Sequence, residues 1–183
     1  ELLEGSKVQF IATATIGRDH IDEAYCREAG IAVASAAGCN ARGVLQWVAA
    51  ALKHIVLSDG KRPEDYTLGV VGVGNVGSLV VEYARHWGFR VLMCDPPRHE
   101  REGGEFYPID HIVREADIIT LHTPLDPTTH HLISRERIAA MRPNAVILNA
   151  SRGAVVDNRA VAESHHRYAF DVWEDEPHLN PEI

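Results

Sequence analysis

Three short segments of this chain carry residue types at spacings that can do chemistry. "GVGNVG" sets Gly72, Gly74 and Gly77 in a G-x-G-x-x-G pattern. "NAVILNASRGAVVDN" brings Arg152 to the end of an apolar run, and "YAFDVWEDEPHLNPEI" gathers Asp171, Glu174, Asp175, Glu176 and His178. A glycine turn opening a helix can cradle phosphates on backbone N–H groups. A guanidinium can clamp a carboxylate through two parallel hydrogen bonds. Carboxylates close to a histidine can move protons.

The glycine hexapeptide is weak evidence alone, and its context strengthens it. It follows an apolar strand, Thr67 to Val71, and opens a helix, Val76 to Trp87. A second strand then ends in Asp95, 95 − 77 = 18 residues after the last glycine. Gly72 allows the tight turn, Gly74 lets backbone approach a pyrophosphate, and Gly77 lets the helix pack on the strand. Gly72, Gly74, Asn75, Val76 and Gly77 are therefore cofactor-binding candidates. Asp95 at a strand end accepts from a ribose diol and repels a 2′-phosphate, which favours NAD over NADP. Arg98, in "DPPR", complicates that choice, because it could reach a 2′-phosphate. The bland alternative is a tight glycine turn that binds nothing.

Arg152 follows the buried strand Ala145 to Leu148, and open parallel sheets bind ligands outside the carboxyl ends of their strands. It either clamps a carboxylate there or pairs with a structural acid such as Asp157. Thr123 and Pro124, in "LHTPLDPTTHHLI", end another strand where a cofactor would pass, and Ala150 sits beside Arg152. His122, His130 and His131 invite a metal reading. The His130–His131 pair has no ligand spacing and no carboxylate partner set, so these read as solvated loop histidines, as do His165 and His166; no metal is expected.

Elements must hold these residues in place. Two short strands, "KVQFIATA" and "IAVAS", flank a helix in "HIDEAYCREAG", and a long apolar helix spans 43–57. From Thr67 onward continuous apolar strands alternate with helices, ending in a helix over Arg159–His166 and the strand "YAFDVW". That alternation predicts an α/β fold, a doubly wound parallel sheet covered on both faces. A domain boundary near the long helix separates 1–39 from 40–183. With 183 residues, 45% hydrophobic, the chain can build one solid core and part of another. A net charge of −8 speaks against a nucleic-acid partner, no apolar run approaches a membrane span, and three separated cysteines read as free thiols of the cytoplasm. The start "ELLEGSKVQF" and the stop soon after "PE" make both ends look cut.

"GVGNVG", "LHTPL", "NASRGAVVDN" and "DVWEDEP", in this order, resemble the NAD-dependent D-2-hydroxyacid dehydrogenase family over nearly the whole chain. Within it, "ATATIGRDHID", "GCNARGV" and "CDPPR" resemble the members that act on 4-phospho-D-erythronate in bacterial pyridoxal-phosphate (vitamin B6) synthesis. The resemblance implies a Rossmann domain, here 40–183 with the interdomain helix 43–57, and a fragment of a smaller substrate domain, here 1–39. It implies hydride transfer from C2 of a small phosphorylated 2-hydroxy acid to NAD in a homodimer. Arg152 would bind the substrate's carboxylate and carbonyl groups, Glu176 would support a catalytic histidine, Asp171 would meet the nicotinamide amide, Thr123 the cofactor, and Thr15 the substrate. Phosphoglycerate or a simpler acid as substrate, or a non-catalytic NAD-sensing module like the corepressors of this fold, are the alternatives. The helix around Trp47 forms the dimer interface or ordinary core packing. The family's histidine segment would lie past Ile183, which leaves His178 as no partner for Glu176 and makes Glu174 and Asp175 solvated loop acids. The interval from Arg152 to Asp171, 171 − 152 = 19 positions, is short for the family, so a chain break is expected within Val161–Arg167.

Overall fold

The computed structural model describes residues 3–15, 17–18 and 20–178; positions 16 and 19 in "ATATIGRDHID" and the end of the last acidic segment, 179–183, lie outside them. The chain divides into two compact units, Glu1–Asn40 and Ala41–Ile183.

In the first unit, β1 (Phe10–Thr13) pairs in parallel with β2 (Ala32–Ser35), Phe10 opposite Ala32. Between them runs α1 (Glu23–Glu28), started by Asp22, whose carboxylate accepts from the Tyr25 N–H at 2.9 Å. Cys26 and Ile31 are buried, whereas Phe10 is 58% exposed.

The second unit is a five-stranded parallel sheet in the order β4-β3-β5-β6-β7. Its strands are β3 (Thr67–Val71), β4 (Arg90–Cys94), β5 (Ile118–Leu121), β6 (Val146–Asn149) and β7 (Arg167–Phe170). The chain leaves β3 for β4 on one side and returns to β5 on the other, so a topological switch point lies beside β3. The helices are α2 (Ala41–Asp59), α3 (Asn75–Trp87), α4 (Pro96–Glu102), α5 (Ile109–Glu115), α6 (Arg135–Ala139) and α7 (Asn158–Ala162). Successive strand residues face opposite cores, as period-two side chains must. Leu68, Val70, Val146 and Leu148 pack with α2 and α3, while Val71 and Ile147 pack with α5, α6 and α7. The sheet is covered on both faces, as its unbroken apolar strands require.

Three elements differ from the sequence reading. Helix α2 runs past both ends of 43–57. Helix α4 has no counterpart in the sequence reading: Asp95 caps it and Pro96 and Pro97 occupy its first positions, where proline's missing N–H costs nothing. Helix α7 stops at Ala162 instead of reaching His166. A hydrogen-bonded turn follows, with Ser164 N–H on Val161 O at 2.9 Å and His166 N–H on Ser164 Oγ at 3.2 Å, and β7 starts at Arg167. These bonds lead the chain from α7 into β7. His166 is half-buried with its Nδ1 unpaired, so it is not the solvated loop histidine expected. Cys26, Cys39 and Cys94 are free thiols, and among the described residues no helix is long and apolar enough to cross a membrane.

Candidate active site

All five strands of the second unit are parallel, so their carboxyl ends share one edge. Gly72 to Gly77 follow β3, Asp95 follows β4, Thr123 and Pro124 follow β5, Ala150 to Arg152 follow β6, and Asp171 follows β7. The sequence candidates of this unit are thus gathered along that edge by topology.

The glycine loop is shaped by close approach. Gly72 has φ 83, donates its N–H to Cys94 O at 2.8 Å, and leaves no room for a Cβ, which would lie 2.7 Å from His122 O. A Cβ on Gly77 would overlap the Gly72 carbonyl oxygen. Gly74 differs: it caps α3 and faces open space. The first bond of α3 runs from Ser78 N–H to Gly74 O, so the N–H groups of Asn75, Val76 and Gly77 have no partner one turn back. Open backbone at Gly74 and donors at a helix start fit a pyrophosphate.

Asp95 is built into this loop. Its Oδ2 accepts from Val73 N–H at 2.7 Å and its Oδ1 from Arg98 N–H at 2.9 Å. Each oxygen keeps a lone pair for a ribose hydroxyl. The Arg98 side chain, which the sequence offered to a 2′-phosphate, is engaged by Val73 O, Ser78 Oγ and Glu102 Oε2.

Beyond β5, His122 donates its backbone N–H to Val71 O, and its ring lies 3.0 Å from Thr120 Oγ1. Burial pushes this imidazole down to about 4, so it is neutral at pH 7. Thr123 Oγ1 is buried without a hydrogen-bond partner. An orphaned hydroxyl at the strand edge fits a residue that meets a ligand.

Arg152 stands on a loop organised by two buried asparagines. Asn149 accepts from Ser151 N–H and Oγ and donates to Arg152 O at 2.9 Å. Asn158 donates to Gly153 O and Val156 O and accepts from Glu174 N–H at 3.0 Å. A Cβ on Gly153 would fall on the Trp173 carbonyl. The "SRG" and "DVWEDEP" segments are therefore packed backbone to backbone. Asp157, the acid offered as a structural partner for Arg152, caps α7 by accepting from Ala160 N–H at 2.8 Å.

The acids after β7 separate in role. Glu174 is not a solvated loop acid: Oε1 accepts from His131 Nε2 at 2.6 Å and Oε2 from Asn158 N–H at 3.3 Å. The histidine pair thereby gains the carboxylate that the sequence did not supply, with ligand-type atoms of His130, His131 and Glu174 within 4.8 Å of one another. The two rings stack at 4.1 Å and 25°, so their nitrogens run side by side, and both Glu174 oxygens are already engaged. Glu176 is exposed, its Oε1 accepting from Trp173 N–H at 2.6 Å. Asp171 is exposed at the end of β7, its N–H on Asn149 O. Thr15, in the first unit, donates its hydroxyl to Gly17 O at 2.7 Å.

Asn149, Asn158, Ser78 and the His131–Glu174 pair were missed by sequence reasoning. Asn149 gave one signal, a polar residue ending an apolar strand. Asn158 reads as a second helix cap beside Asp157.

A family model described as "D-isomer specific 2-hydroxyacid dehydrogenase, NAD binding domain" matches residues 41–182. Erythronate-4-phosphate dehydrogenase of Ectopseudomonas mendocina is 47% identical over 187 residues, covering 100% of this chain and 50% of that protein. The chain spans about half the length of the curated relatives it matches. D-lactate dehydrogenase of Aquifex aeolicus, solved with NAD and lactic acid, superposes with a TM-score of 0.81 at 30% identity, over 95% of this chain and 61% of its own. NAD+-bound 3-phosphoglycerate dehydrogenase of Entamoeba histolytica gives 0.80 at 28% identity, over 91% of this chain and 58% of its own.

Proposed function

Because the chain belongs to the D-isomer specific 2-hydroxyacid dehydrogenase family and carries its NAD-binding domain, we propose that the full-length protein oxidises 4-phospho-D-erythronate at C2, in pyridoxal-phosphate synthesis. The observation that carries the substrate is the near-half identity to erythronate-4-phosphate dehydrogenases along the whole chain, the first unit included.

Bound NAD supplies the hydride acceptor. The glycine loop and the first turn of α3 bind its pyrophosphate, Asp95 its adenine ribose, and Thr123, Pro124, Ala150 and Asp171 line its path toward the nicotinamide. Arg152 holds the substrate carboxylate and stabilises the C2 oxygen as it becomes a carbonyl. Glu176 orients a histidine base that takes the hydroxyl proton. Thr15 belongs to the unit that contributes substrate contacts. We read the protein as a cytoplasmic homodimer with no nucleic-acid or membrane partner; its net charge of −8 supports the former exclusion.

The test is turnover of NAD by full-length protein with 4-phospho-D-erythronate, 3-phosphoglycerate and D-lactate. Turnover of only another acid refutes the substrate. NAD binding without turnover of any of them favours the sensing-module alternative.

A further inference from the structure

We infer that Arg98 is a positioning residue for the cofactor's pyrophosphate, setting the direction of the Gly74 N–H from behind the glycine loop. The inference rests on the NAD reading of that loop. Arg98 Nη1 donates to Val73 O at 2.6 Å and to Ser78 Oγ at 2.8 Å, and Ser78 Oγ donates to Val73 O at 3.0 Å. Glu102 Oε2 holds Nε at 2.8 Å, which fixes the guanidinium plane.

Val73 O and Gly74 N–H belong to one peptide unit. In a planar trans peptide these groups point in opposite directions. Two donors on Val73 O therefore aim Gly74 N–H away from Arg98, and Gly74 has nothing within 4 Å of where a side chain would stand. A charge-assisted bond to the carbonyl also polarises the peptide and strengthens its N–H as a donor to an anion. A flip of this peptide would turn a carbonyl toward the phosphates and strand the guanidinium. The preceding peptide is held independently, Val73 N–H on Asp95. Asp95 also takes the Arg98 backbone N–H, a bond that any side chain at position 98 other than proline preserves. Arg98 thus serves the pyrophosphate through its side chain and the ribose acid only through its backbone.

Full-length protein and its Arg98→Met variant would be titrated with NADH, ADP-ribose and adenosine. The expected result is a loss of about tenfold for NADH and ADP-ribose, the size of one charge-assisted bond, with adenosine unchanged. Equal loss for all three ligands, or unchanged NADH binding, overturns the inference; the first outcome marks a brace of the whole fold. Should Arg98→Met not fold, Arg98→Lys decides: a smaller loss confined to the two pyrophosphate ligands supports the role, and wild-type NADH binding overturns it. Wild-type protein that fails to bind NADH refutes the NAD reading itself, and the inference falls with it.

Discussion

His131 Nε2 lies 2.6 Å from Glu174 Oε1, and through this contact the loop after β5 grips the loop after β7. The same histidine donates its backbone N–H to Ala154 O at 2.8 Å and adopts φ 47, a left-handed conformation uncommon outside glycine. One residue thus fastens both the Arg152 loop and the acidic segment that carries Glu176. Glu174→Ala would unpair His131 and the Asn158 N–H together. A stability loss of about 1–3 kcal/mol is expected in urea unfolding, the usual cost of orphaned partly buried partners. A change within error would mean that the clamp is ornamental.

Two glycines should respond in opposite ways to the same added methyl. Gly153→Ala places a Cβ on the Trp173 backbone, which cannot yield as a flexible side chain can. A loss of about 3 kcal/mol, or failure to fold, is expected. Gly74→Ala meets no atom, so thermal unfolding of the free protein should stay near wild type. On the proposed reading of this loop, its NADH affinity should fall at least about tenfold, because the methyl would stand where backbone approaches the pyrophosphate. A Gly74→Ala protein that binds NADH normally would remove the glycine loop from the cofactor site.

Much of this was legible because the signals were local. Gly88 ends α3 at φ 101, and an apolar run marked β6. Helix α4 was hidden because "PPRHERE" is polar throughout, and only its capping Asp95 and leading prolines betray it. The His131–Glu174 clamp spans 43 residues and has no sequence signature. Reading Glu174 as solvated was the natural error, since burial of one acid among three depends on which loop packs above it. Thr123 was marked by its place at a strand end and then by the resemblance, and its unpaired hydroxyl is a property of the folded edge alone.

The far end of α2 supplies an acid-sensitive tie. Asp59 accepts from Arg167 Nη1 at 2.7 Å, Arg167 Nη2 at 2.9 Å and Tyr66 Oη at 2.7 Å. The Arg167 bonds, then the Tyr66 bond, hold the Asp59 carboxyl down at about 2. A depressed carboxyl stabilises the fold above its unfolded value of 3.8, and that stability is lost as pH falls from about 4 toward 2. Asp59→Asn should therefore be less stable at pH 7 and lose less than wild type on acidification through that window. Parallel unfolding curves for both proteins from pH 5 to 2 would contradict this.

His122 should act on the same curve at higher pH and for a different reason. Burial alone depresses it, from 6.5 to about 4, and no nearby charge is involved. The unfolded chain takes up a proton near pH 6.5 that the folded chain refuses until about pH 4. Folded stability is therefore undiminished above pH 6.5, falls across pH 6.5 to 4, and levels below that. His122 O lies against the Gly72 turn, 2.7 Å from where a Cβ on that glycine would stand, so a charge forced onto this ring would act next to the glycine loop. His122→Asn should flatten the pH 6.5-to-4 limb and leave the Asp59 limb below pH 4 in place. An NMR titration checks the assignment directly: the His122 ring resonances should stay at their neutral position down to pH 5. A ring that titrates near pH 6.5 in the folded protein would show that this side chain is hydrated, and would return the acid limb to other groups.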